Sequence, residues 1–511
     1  MSDNVRITYF SGYIRNWKSL CGELGLSTDL SREDRENSIL VKGYERWGME
    51  LIERMYGAFA FVIRDEQKGI EFVARDYVGQ KQMFYTVSGG ELYCSGDIDE
   101  VVSRSGIEKR LNKAMLQQYL FYGYPIGDQT FYEGVYKLLP GHYLEWNGAE
   151  LKDHTYFKPF FTPDRSKSPE EFAEEIKAVV EEILGEERED KEVPYKESFL
   201  SGGVDSSYLL AAGDAARANT VGYVEEGFDE SKLARHTAEI LGREFGVRMI
   251  GPEEYFARIP DVIKGMGQPL GDASAVAFSL GCASVAERCR VVYSGEGIDE
   301  FFGGYNAHKR VLDPSWTYLT CSHIMNKDVV RSLMRDYDDS INPEDPIADL
   351  WAELKGYDPL AQKLTVDISL WLEGDIYLNT DRTSTACGIE LHTPFSDQRL
   401  FNVARRIPAE YQFKGEYNKY VFRLAASSKL PDEVAFRKKV GFAVPVSKWI
   451  ADAQYNGDVK AKLFGDSSAE LFDRDYLSDM WDAFMNGDGK LWNRIYAIYA
   501  FLLWYDLKFK A

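Results

Sequence analysis

The sequence is poor in the residues that build disulfide scaffolds and metal centres. Its 511 residues include only 6 cysteines and 6 histidines. The cysteines are scattered without a CxxC pair, and no HExxH segment occurs, so the spacing excludes the common zinc motifs and a disulfide framework. We therefore predict reduced, mostly buried thiols, as is typical of a cytoplasmic protein.

Positive charge and long apolar runs are also scarce. The 60 Lys and Arg residues face 82 Asp and Glu, for a formal net charge of −22. Nucleic-acid binding draws much of its affinity from neutralised phosphates, so this balance argues against a nucleic-acid partner. The longest apolar run, residues 495–505, is about half as long as a membrane-spanning helix, and the first residues lack the apolar core of a signal peptide. We predict a buried helix at 495–505 and no membrane partner.

Two zones of different pattern follow each other along the chain. Over residues 1–165, short alternating strands surround one helical stretch at 38–55, which predicts an α+β domain with antiparallel sheets. A polar segment with two prolines, 161–169, leads into a second domain over residues 166–511. There, strand-like runs alternate with helices, which predicts an α/β domain with a parallel sheet. Beyond about residue 312 the pattern is almost entirely helical. The predicted strands are 196–200, 219–224, 247–250 and 290–293.

A glycine-rich segment connects the first strand of the second domain to a helix. Adjacent glycines let the backbone turn tightly and point N–H groups at an anion, while the helix N-terminus and serine hydroxyls add donors. Open α/β sheets bind ligands at this end of their strands. No GxxxxGK[ST] segment occurs, which favours chemistry that ends in AMP and pyrophosphate. The predicted phosphate-binding residues are Leu200, Ser201, Gly202, Gly203, Asp205, Ser206 and Ser207.

Five segments, found in the family's order, carry a resemblance to one known family. Ser201–Ser207 resembles the pyrophosphate loop of the N-type ATP pyrophosphatases, specifically that of the asparagine synthetase family. The resemblance implies a truncated Ntn-hydrolase-like antiparallel sandwich, then an adenine nucleotide alpha hydrolase-like α/β domain with a helical C-terminal part. It also implies ATP-dependent adenylation of a carboxylate and transfer of the acyl group to an amine. The other four segments are Phe228–Ser231, Ser294–Tyr305, Asp381–Phe395 and Phe436–Phe442.

The resemblance also implies roles for individual residues. Asp205 and Asp299 would hold Mg²⁺ on the phosphates of ATP, a cation usually bound by one or two carboxylates plus phosphate oxygens. Lys439 would neutralise charge that grows on pyrophosphate and on the intermediate. Glu296 would assist the attack of the amine as a general base or proton relay. The remaining implied nucleotide contacts are Gly295 and Asp272.

The first domain departs from the family where glutamine-using members hydrolyse glutamine. Those members begin with a cysteine whose own amine serves as the base. This sequence begins Met1-Ser2, and its nearest cysteine is Cys21. Residues 10–16 resemble a strand that normally lies well inside the domain. The sequence as given therefore predicts that the leading strands and the nucleophile are missing.

The glutamine pocket is altered as well. The family pattern xNGEIYN has Asn and Glu where this chain has Ser11 and Tyr13, and the acid expected to bind the glutamine amine aligns near Arg35. Other landmarks persist at 75–79 and 94–98. We therefore expect a degenerate glutaminase domain, and an amine that does not come from glutamine hydrolysed by the same chain.

Three hypotheses about function remain. The first is a ligase that joins a small-molecule or peptide carboxylate to ammonia or a small amine, which Glu296 favours. The second is an intramolecular cyclase resembling β-lactam synthetases or lasso-peptide cyclases, since a tethered amine has a high effective concentration. The third is a non-catalytic nucleotide-binding relative. His392, where the family usually has arginine, indicates either an altered pocket or a repacked surface, and a homodimer is the default expectation for oligomeric state.

Overall fold

The computed structural model describes residues 4–225, 227–311, 320–438 and 443–510. Its N-terminal part contains two antiparallel sheets, with strand orders β1-β2-β3-β7-β8 and β5-β4-β6. The strands are β1 (Val5–Ile14), β2 (Gly57–Asp65), β3 (Ile70–Arg75), β4 (Phe84–Ser88), β5 (Glu91–Ser95), β6 (Tyr136–Lys137), β7 (His142–Trp146) and β8 (Leu151–Thr155). The helices are α1 (Trp17–Leu24), α2 (Arg32–Trp47), α3 (Leu51–Arg54), α4 (Ile98–Ser105) and α5 (Lys113–Tyr122).

Strand β2 explains how this part packs. Strand β2 carries apolar side chains on both faces because a core packs against each face. Ala60 and Val62 belong to a core that also contains residues of the second sheet. Phe59, Phe61 and Ile63 belong to the core beneath helices α1 and α2. The predicted α+β domain with antiparallel sheets is therefore confirmed.

The predicted helix at 38–55 needs a correction. Helix α2 begins at Arg32, where the side chain of Ser31 accepts the backbone N–H of Asp34, and it ends at Trp47. Gly48 follows with φ 60°, a conformation that favours glycine and breaks the helix. The apolar periodicity continues past that break into a 3₁₀ turn and α3, so it did not reveal the interruption.

The second part contains a five-stranded parallel sheet of order β11-β10-β9-β12-β13. Its strands are β9 (Glu197–Phe199), β10 (Arg217–Tyr223), β11 (Glu244–Ile250), β12 (Val291–Tyr293) and β13 (Glu390–His392). The helices up to the end of β12 and just beyond are α6 (Pro169–Glu189), α7 (Val204–Ala212), α8 (Ser231–Ile240), α9 (Pro252–Met266), α10 (Ser274–Ala286), α11 (Ile298–Phe302) and α12 (Asn306–Arg310).

The topology of this sheet decides where a ligand can bind. The four predicted strands all exist, and β9 pairs directly with β12, with Ser198 opposite Tyr293. Because both strands are parallel, the segments that follow them, 200–207 and 294–300, leave the same edge of the sheet side by side. Strand β13 lies in the region predicted to be helical, and this is a second correction: Val291 pairs with Glu390.

The C-terminal region is otherwise helical, as predicted. Residues 495–505 lie in the last α-helix, and all except Leu503 are buried. Within the described ranges, every helix falls short of the length and apolarity that a membrane crossing demands. A π-helical segment (Asp367–Tyr377) and a hairpin of β14 (Phe413–Lys414) and β15 (Tyr417–Asn418) also occur here. The helices are α13 (Lys327–Leu333), α14 (Ala348–Glu353), α15 (Pro359–Val366), α16 (Leu378–Ala386), α17 (Gln398–Ala404), α18 (Ala409–Gln412), α19 (Tyr420–Ala426), α20 (Asp432–Ala435), α21 (Val446–Ala451), α22 (Asn456–Leu463), α23 (Asp466–Leu471), α24 (Arg474–Met485) and α25 (Trp492–Tyr505).

Candidate functional site

The predicted phosphate loop lies between β9 and α7 and is held by its own serines. The Ser201 N–H donates to Ser206 Oγ at 3.0 Å, and the Gly203 N–H donates to Ser201 Oγ at 3.2 Å. Ser207 Oγ donates to Gly203 O at 2.7 Å. Helix α7 begins at Val204, so its N-terminal N–H groups lie beside the loop. This arrangement is suited to binding an anion.

The loop after β12 leans directly on the phosphate loop. A Cβ atom added to Gly295 would lie 3.2 Å from Ser206 N, closer than side chains normally approach. A Cβ on Gly304 would lie 1.7 Å from Asp299 Oδ1, so glycine is required there too. The structure therefore brings the predicted residues Gly295, Asp205 and Asp299 together with the phosphate loop.

Asp205 and Asp299 share one cation of the chain itself. Lys419 Nζ lies 2.6 Å from Asp205 Oδ2 and 2.7 Å from Asp299 Oδ1. Lys419 follows the β14–β15 hairpin, is 1% exposed and is the one described non-glycine residue with positive φ, at 55°. Such strain in a bulky residue often marks a functional site. Sequence reasoning missed Lys419, and its place just upstream of the amphipathic helix α19 gave little signal.

The two carboxylates fit the predicted Mg²⁺. Both contact the same Nζ atom, so their oxygens are close enough to share one small cation. Carboxylate oxygens are ligands that Mg²⁺ prefers, with phosphate oxygens and water completing the shell. The donor set is therefore appropriate for Mg²⁺ bound together with a nucleotide.

Glu296 lies in the same loop, and its side chain has a defined position. Ser294 Oγ donates to Glu296 Oε1 at 2.9 Å, and the main-chain carbonyl of Glu296 accepts from Ser396 Oγ at 2.9 Å. Gly297 follows with φ 94°, which turns the chain into helix α11. The predicted base is thus adjacent to the predicted metal ligands.

Three further acids have raised pKa values: Asp375 and Glu300 are buried, and Asp272 is partly buried. Asp272, a predicted nucleotide contact, accepts the Ser274 N–H at 2.8 Å, and burial raises its pKa. Burial, with the nearby charge of Asp272, raises the pKa of Asp375 well above its usual range. Burial and neighbouring Asp299 raise the pKa of Glu300 to about 8. Asp375 and Glu300 were not among the predicted site residues.

Asp375 is distinctive because half of its carboxyl group lacks a partner. Its Oδ2 accepts from Trp371 Nε1 at 2.8 Å, whereas Oδ1 is buried with no hydrogen-bond partner among the described residues. Leaving a buried carboxylate oxygen unpaired is costly. Asp375 lies in the π-helical segment, and such segments are frequent at functional sites.

The basic segment near the C-terminus approaches the phosphate loop, although Lys439 lies outside the described residues. Arg437 donates to Gly202 O at 3.3 Å and to Thr237 Oγ1 at 3.2 Å. The cationic segment that precedes Lys439 therefore contacts the loop predicted to bind phosphate.

The altered glutamine-pocket strand faces the second part of the molecule. The Tyr13 ring stacks on the imidazole of His392 with ring centroids 3.7 Å apart. Arg15 donates to Glu187 at 2.8 Å and to Asp397 at 2.5 Å. Arg35 lies over the Trp17 ring at 3.9 Å.

His392 is 4% exposed, so its interpretation as a repacked surface is wrong. It contacts Glu187 at 2.8 Å and also Glu390, and both partners are acidic. His392 therefore belongs to a buried ionic cluster between the two parts of the molecule.

A phosphate loop at the carboxyl edge of a parallel sheet, paired carboxylates and an amidotransferase-like sandwich together define a class of two-part, nucleotide-dependent ligases. Residues 186–506 match the family model described as asparagine synthase, and residues 1–157 match the glutamine amidotransferase domain. The chain belongs to the asparagine synthase family and is an ATP-dependent, amide-forming ligase by that membership.

Curated relatives agree with this assignment. Asparagine synthetase [glutamine-hydrolyzing] 1 of Bacillus subtilis is 27% identical over 98% of this chain and 85% of its own length. A putative asparagine synthetase [glutamine-hydrolyzing] of Mycobacterium bovis is 27% identical over 98% of this chain and 84% of its own length. Amidase chry2 of Gibberella zeae is 31% identical over 53% of this chain and 43% of its own length.

Proposed function

We propose that the protein activates a carboxylate as an acyl-adenylate, releases pyrophosphate, and passes the acyl group to an amine with release of AMP. The observation that carries this proposal is the convergence of Asp205 and Asp299 on one Nζ atom beside the Ser201–Ser207 loop. The two domains would correspond to residues 1–165 and 166–511.

Each step has residues suited to it. A substrate carboxylate oxygen attacks the α-phosphorus of ATP, and the bond to pyrophosphate breaks while the loop N–H groups and Lys419 hold the departing charge. Mg²⁺ held by Asp205 and Asp299 would neutralise part of the triphosphate. The amine then attacks the acyl carbon, its proton passes to Glu296, and the C–O bond to AMP breaks.

ATP–pyrophosphate exchange tests the adenylation step. We expect exchange to depend on a carboxylate, with L-aspartate as the first probe, and the nucleotide product to be AMP. Asp205→Asn should abolish exchange, whereas Asp29→Asn, which changes an exposed acid, should not. Production of ADP would refute the proposal.

The buried acids favour a substrate with a positive charge. The buried Asp375 and the partly buried Asp272 lie beside neutral hydroxyl, amide and indole groups, and Asp375 Oδ1 lacks a described partner. An ammonium group would satisfy such carboxylates. L-aspartate should therefore support exchange better than succinate, which lacks the ammonium group, and Asp375→Asn should reduce that preference. Equal activity with both acids would contradict the inference.

We further propose that the amine is not produced by glutamine hydrolysis in this chain. Support comes from Tyr13, which stands in the sequence where the family pattern has glutamate and whose ring stacks on His392. Ammonium chloride should support amide formation at concentrations where glutamine does not. Release of glutamate from glutamine by the purified protein would refute this part.

Intramolecular cyclisation is a second candidate, favoured by the same Glu-to-Tyr change at residue 13, because ring closure needs no ammonia. Mass spectrometry separates the two. A product lighter than its substrate by one water supports cyclisation, whereas an ammonia-dependent amide supports the first candidate.

A further inference from the structure

Two buried tyrosines hydrogen-bond Ser396, which in turn hydrogen-bonds the main chain of Glu296. Tyr77 Oη donates to Ser396 O at 2.7 Å, and Tyr377 Oη donates to Ser396 Oγ at 2.5 Å. Ser396 Oγ in turn donates to the main-chain carbonyl of Glu296 at 2.9 Å. Tyr77 is 6% exposed, Tyr377 1% and Ser396 0%. Ser396 therefore joins the N-terminal part to the main chain of the proposed base, because its carbonyl accepts from Tyr77 and its hydroxyl donates to Glu296.

The N-terminal end of this connection is rigid. Tyr77 lies in the loop after β3, next to Asp76, whose carboxylate accepts four backbone N–H groups of the same loop. Arg75 is fully buried and donates to Gly79 O at 2.8 Å and to Leu138 O at 2.8 Å. Its guanidinium also lies 2.9 Å from Glu373 across the interface. The hydroxyl of Tyr77 is thus presented from a loop with one well-determined shape.

At the Glu296 end, the hydrogen bond requires Ser396 to approach the main chain of residues 296 and 297 closely. Gly297 has φ 94°, and a Cβ atom there would lie 2.7 Å from Ser396 Oγ. Ser396 can reach the carbonyl of Glu296 because the next residue is glycine. Ser294 holds the Glu296 carboxylate at 2.9 Å, so Ser396 and Ser294 fix its main chain and side chain separately.

We propose that Tyr77 positions Glu296 through Ser396, so that the N-terminal part is a working component of the amide-forming site. The inference rests on the proposed role of Glu296 in the attack of the amine. Tyr77 fixes the main chain of Ser396, while the consecutive hydrogen bonds from Tyr377 to Ser396 and from Ser396 to Glu296 strengthen each other in a buried environment. A displacement of about 1 Å at a reacting group can reduce a rate about 100-fold. This assigns a role in amide formation to an N-terminal part that has Tyr13 where the family pattern has glutamate.

Tyr77→Phe and Ser396→Ala test the proposal in the full-length protein. The matched control is Tyr119→Phe, because Tyr119 is also buried in the N-terminal part and donates to a carbonyl of the second part, Ala497 O, at 2.9 Å. With ATP, L-aspartate and ammonium chloride, we expect both test variants to keep ATP–pyrophosphate exchange within about twofold. Amide formation should fall about 10- to 100-fold, with a changed pH profile, since general-base catalysis contributes about 10²- to 10⁴-fold. The control should keep both activities.

Hydrogen–deuterium exchange of the 291–302 segment gives a readout that needs no substrate. It should become faster in Tyr77→Phe and Ser396→Ala and stay unchanged in Tyr119→Phe. Equal losses of pyrophosphate exchange and amide formation, or unchanged deuterium uptake at 291–302, would overturn the positioning role. A wild-type protein without AMP production would instead refute the proposed function, while deuterium uptake still decides the positioning.

Discussion

Buried acids occur in two clusters of this molecule, and the two clusters are balanced differently. In the interdomain cluster, Glu187, Glu390 and Asp397 face Arg15 and His392. Burial opposes ionisation of Glu187, but His392 and Arg15 outweigh it and hold its pKa far below the usual range. Burial likewise opposes ionisation of Glu390, yet its contacts with His392 and Arg32 lower its pKa to about 2. These acids are ionised and paired within the protein.

The acids Asp272 and Asp375 behave in the opposite way. Burial raises the pKa of Asp272, and burial together with Asp272 raises that of Asp375. Their hydrogen-bond partners are the neutral Ser274, Asn379 and Trp371. The difference teaches that burial alone does not distinguish a structural acid from a functional one. The interdomain acids stabilise the fold, whereas Asp272 and Asp375 cost stability that a positively charged ligand can return.

Glu187→Gln should produce the largest change in stability. Glu187 pairs with both Arg15 and His392, so its removal leaves two buried cations without that partner. Breaking a buried ion pair costs about 3–5 kcal/mol. We expect a loss of this size in urea unfolding, with the turnover number of the folded protein unchanged.

Glu182→Gln is the matched control, because Glu182 lies on the same helix and pairs with Arg399 from an exposed position. It should cost less than about 1 kcal/mol. A Glu187 variant of normal stability but low turnover would reverse the comparison between the two clusters.

Lys419→Ala should abolish most catalysis. It removes the cation shared by Asp205 and Asp299, and loss of one preorganised charge-stabilising group costs about 10²- to 10³-fold in rate. Because the two carboxylates then face each other, Mg²⁺ should raise the melting temperature of this variant more than that of the wild type. Lys414→Ala is the control, since Lys414 is exposed on the same hairpin. Equal Mg²⁺ effects in all three proteins would contradict the shared-carboxylate site.

The two regions also differ in how far the sequence could predict them. The phosphate loop follows from its glycines and serines between a strand and a helix, and the parallel strands follow from short runs between helices. The roles of Asp205, Asp299 and Glu296 come from the resemblance of their continuous segments to the family. Pairing of β9 with β12 then brings those segments together. The antiparallel N-terminal sheets follow equally from alternation.

The residues that were missed depend on long-range geometry. Lys419 reaches the carboxylates only because a hairpin and a left-handed backbone direct it there. Asp375 lies in a π-helical segment that a period of 3.6 residues does not reveal. Strand β13 is a short strand that stands alone among helices, whereas β9 to β12 lie in a recurring alternation of strands and helices. The burial of His392 could not be predicted because its partners, Glu187 and Tyr13, are far away in sequence.

Asp375→Asn tests the comparison of the two clusters, with an expected effect of intermediate size. We expect amide formation to fall about 100-fold, the effect of losing one charge-stabilising contact in a water-excluded site. Stability should stay equal or rise, because the variant removes a buried carboxyl group whose ionised form is disfavoured. Steady-state kinetics and urea unfolding of the same preparation measure both quantities. A large loss of stability would place Asp375 with the interdomain acids instead.

The smallest expected effect is the pH dependence that His392 contributes. Burial disfavours its charged form, but Glu187 and Glu390 outweigh burial and raise its pKa above 6.5. A raised pKa gives stability that is fully present below about pH 6.5 and is lost as the pH rises through the folded-state pKa. Glu390, with its pKa lowered from 4.5 to about 2, gives stability that is present above about pH 4.5 and is lost as the pH falls. The cluster should therefore stabilise most between these limits.

His392→Gln isolates this contribution. The other titratable groups that face His392 are Tyr13 and Tyr293, whose pKa values burial raises, so neither of them ionises near neutral pH. The free energy of unfolding of the wild type should exceed that of the variant most near pH 6. The difference should then shrink toward pH 9, by at most about 1.4 kcal/mol per pH unit for one proton. A difference that is constant over this range would mean that His392 is not charged in the folded protein. Glu187 and Glu390 would then be balanced by Arg15 and Arg32 alone.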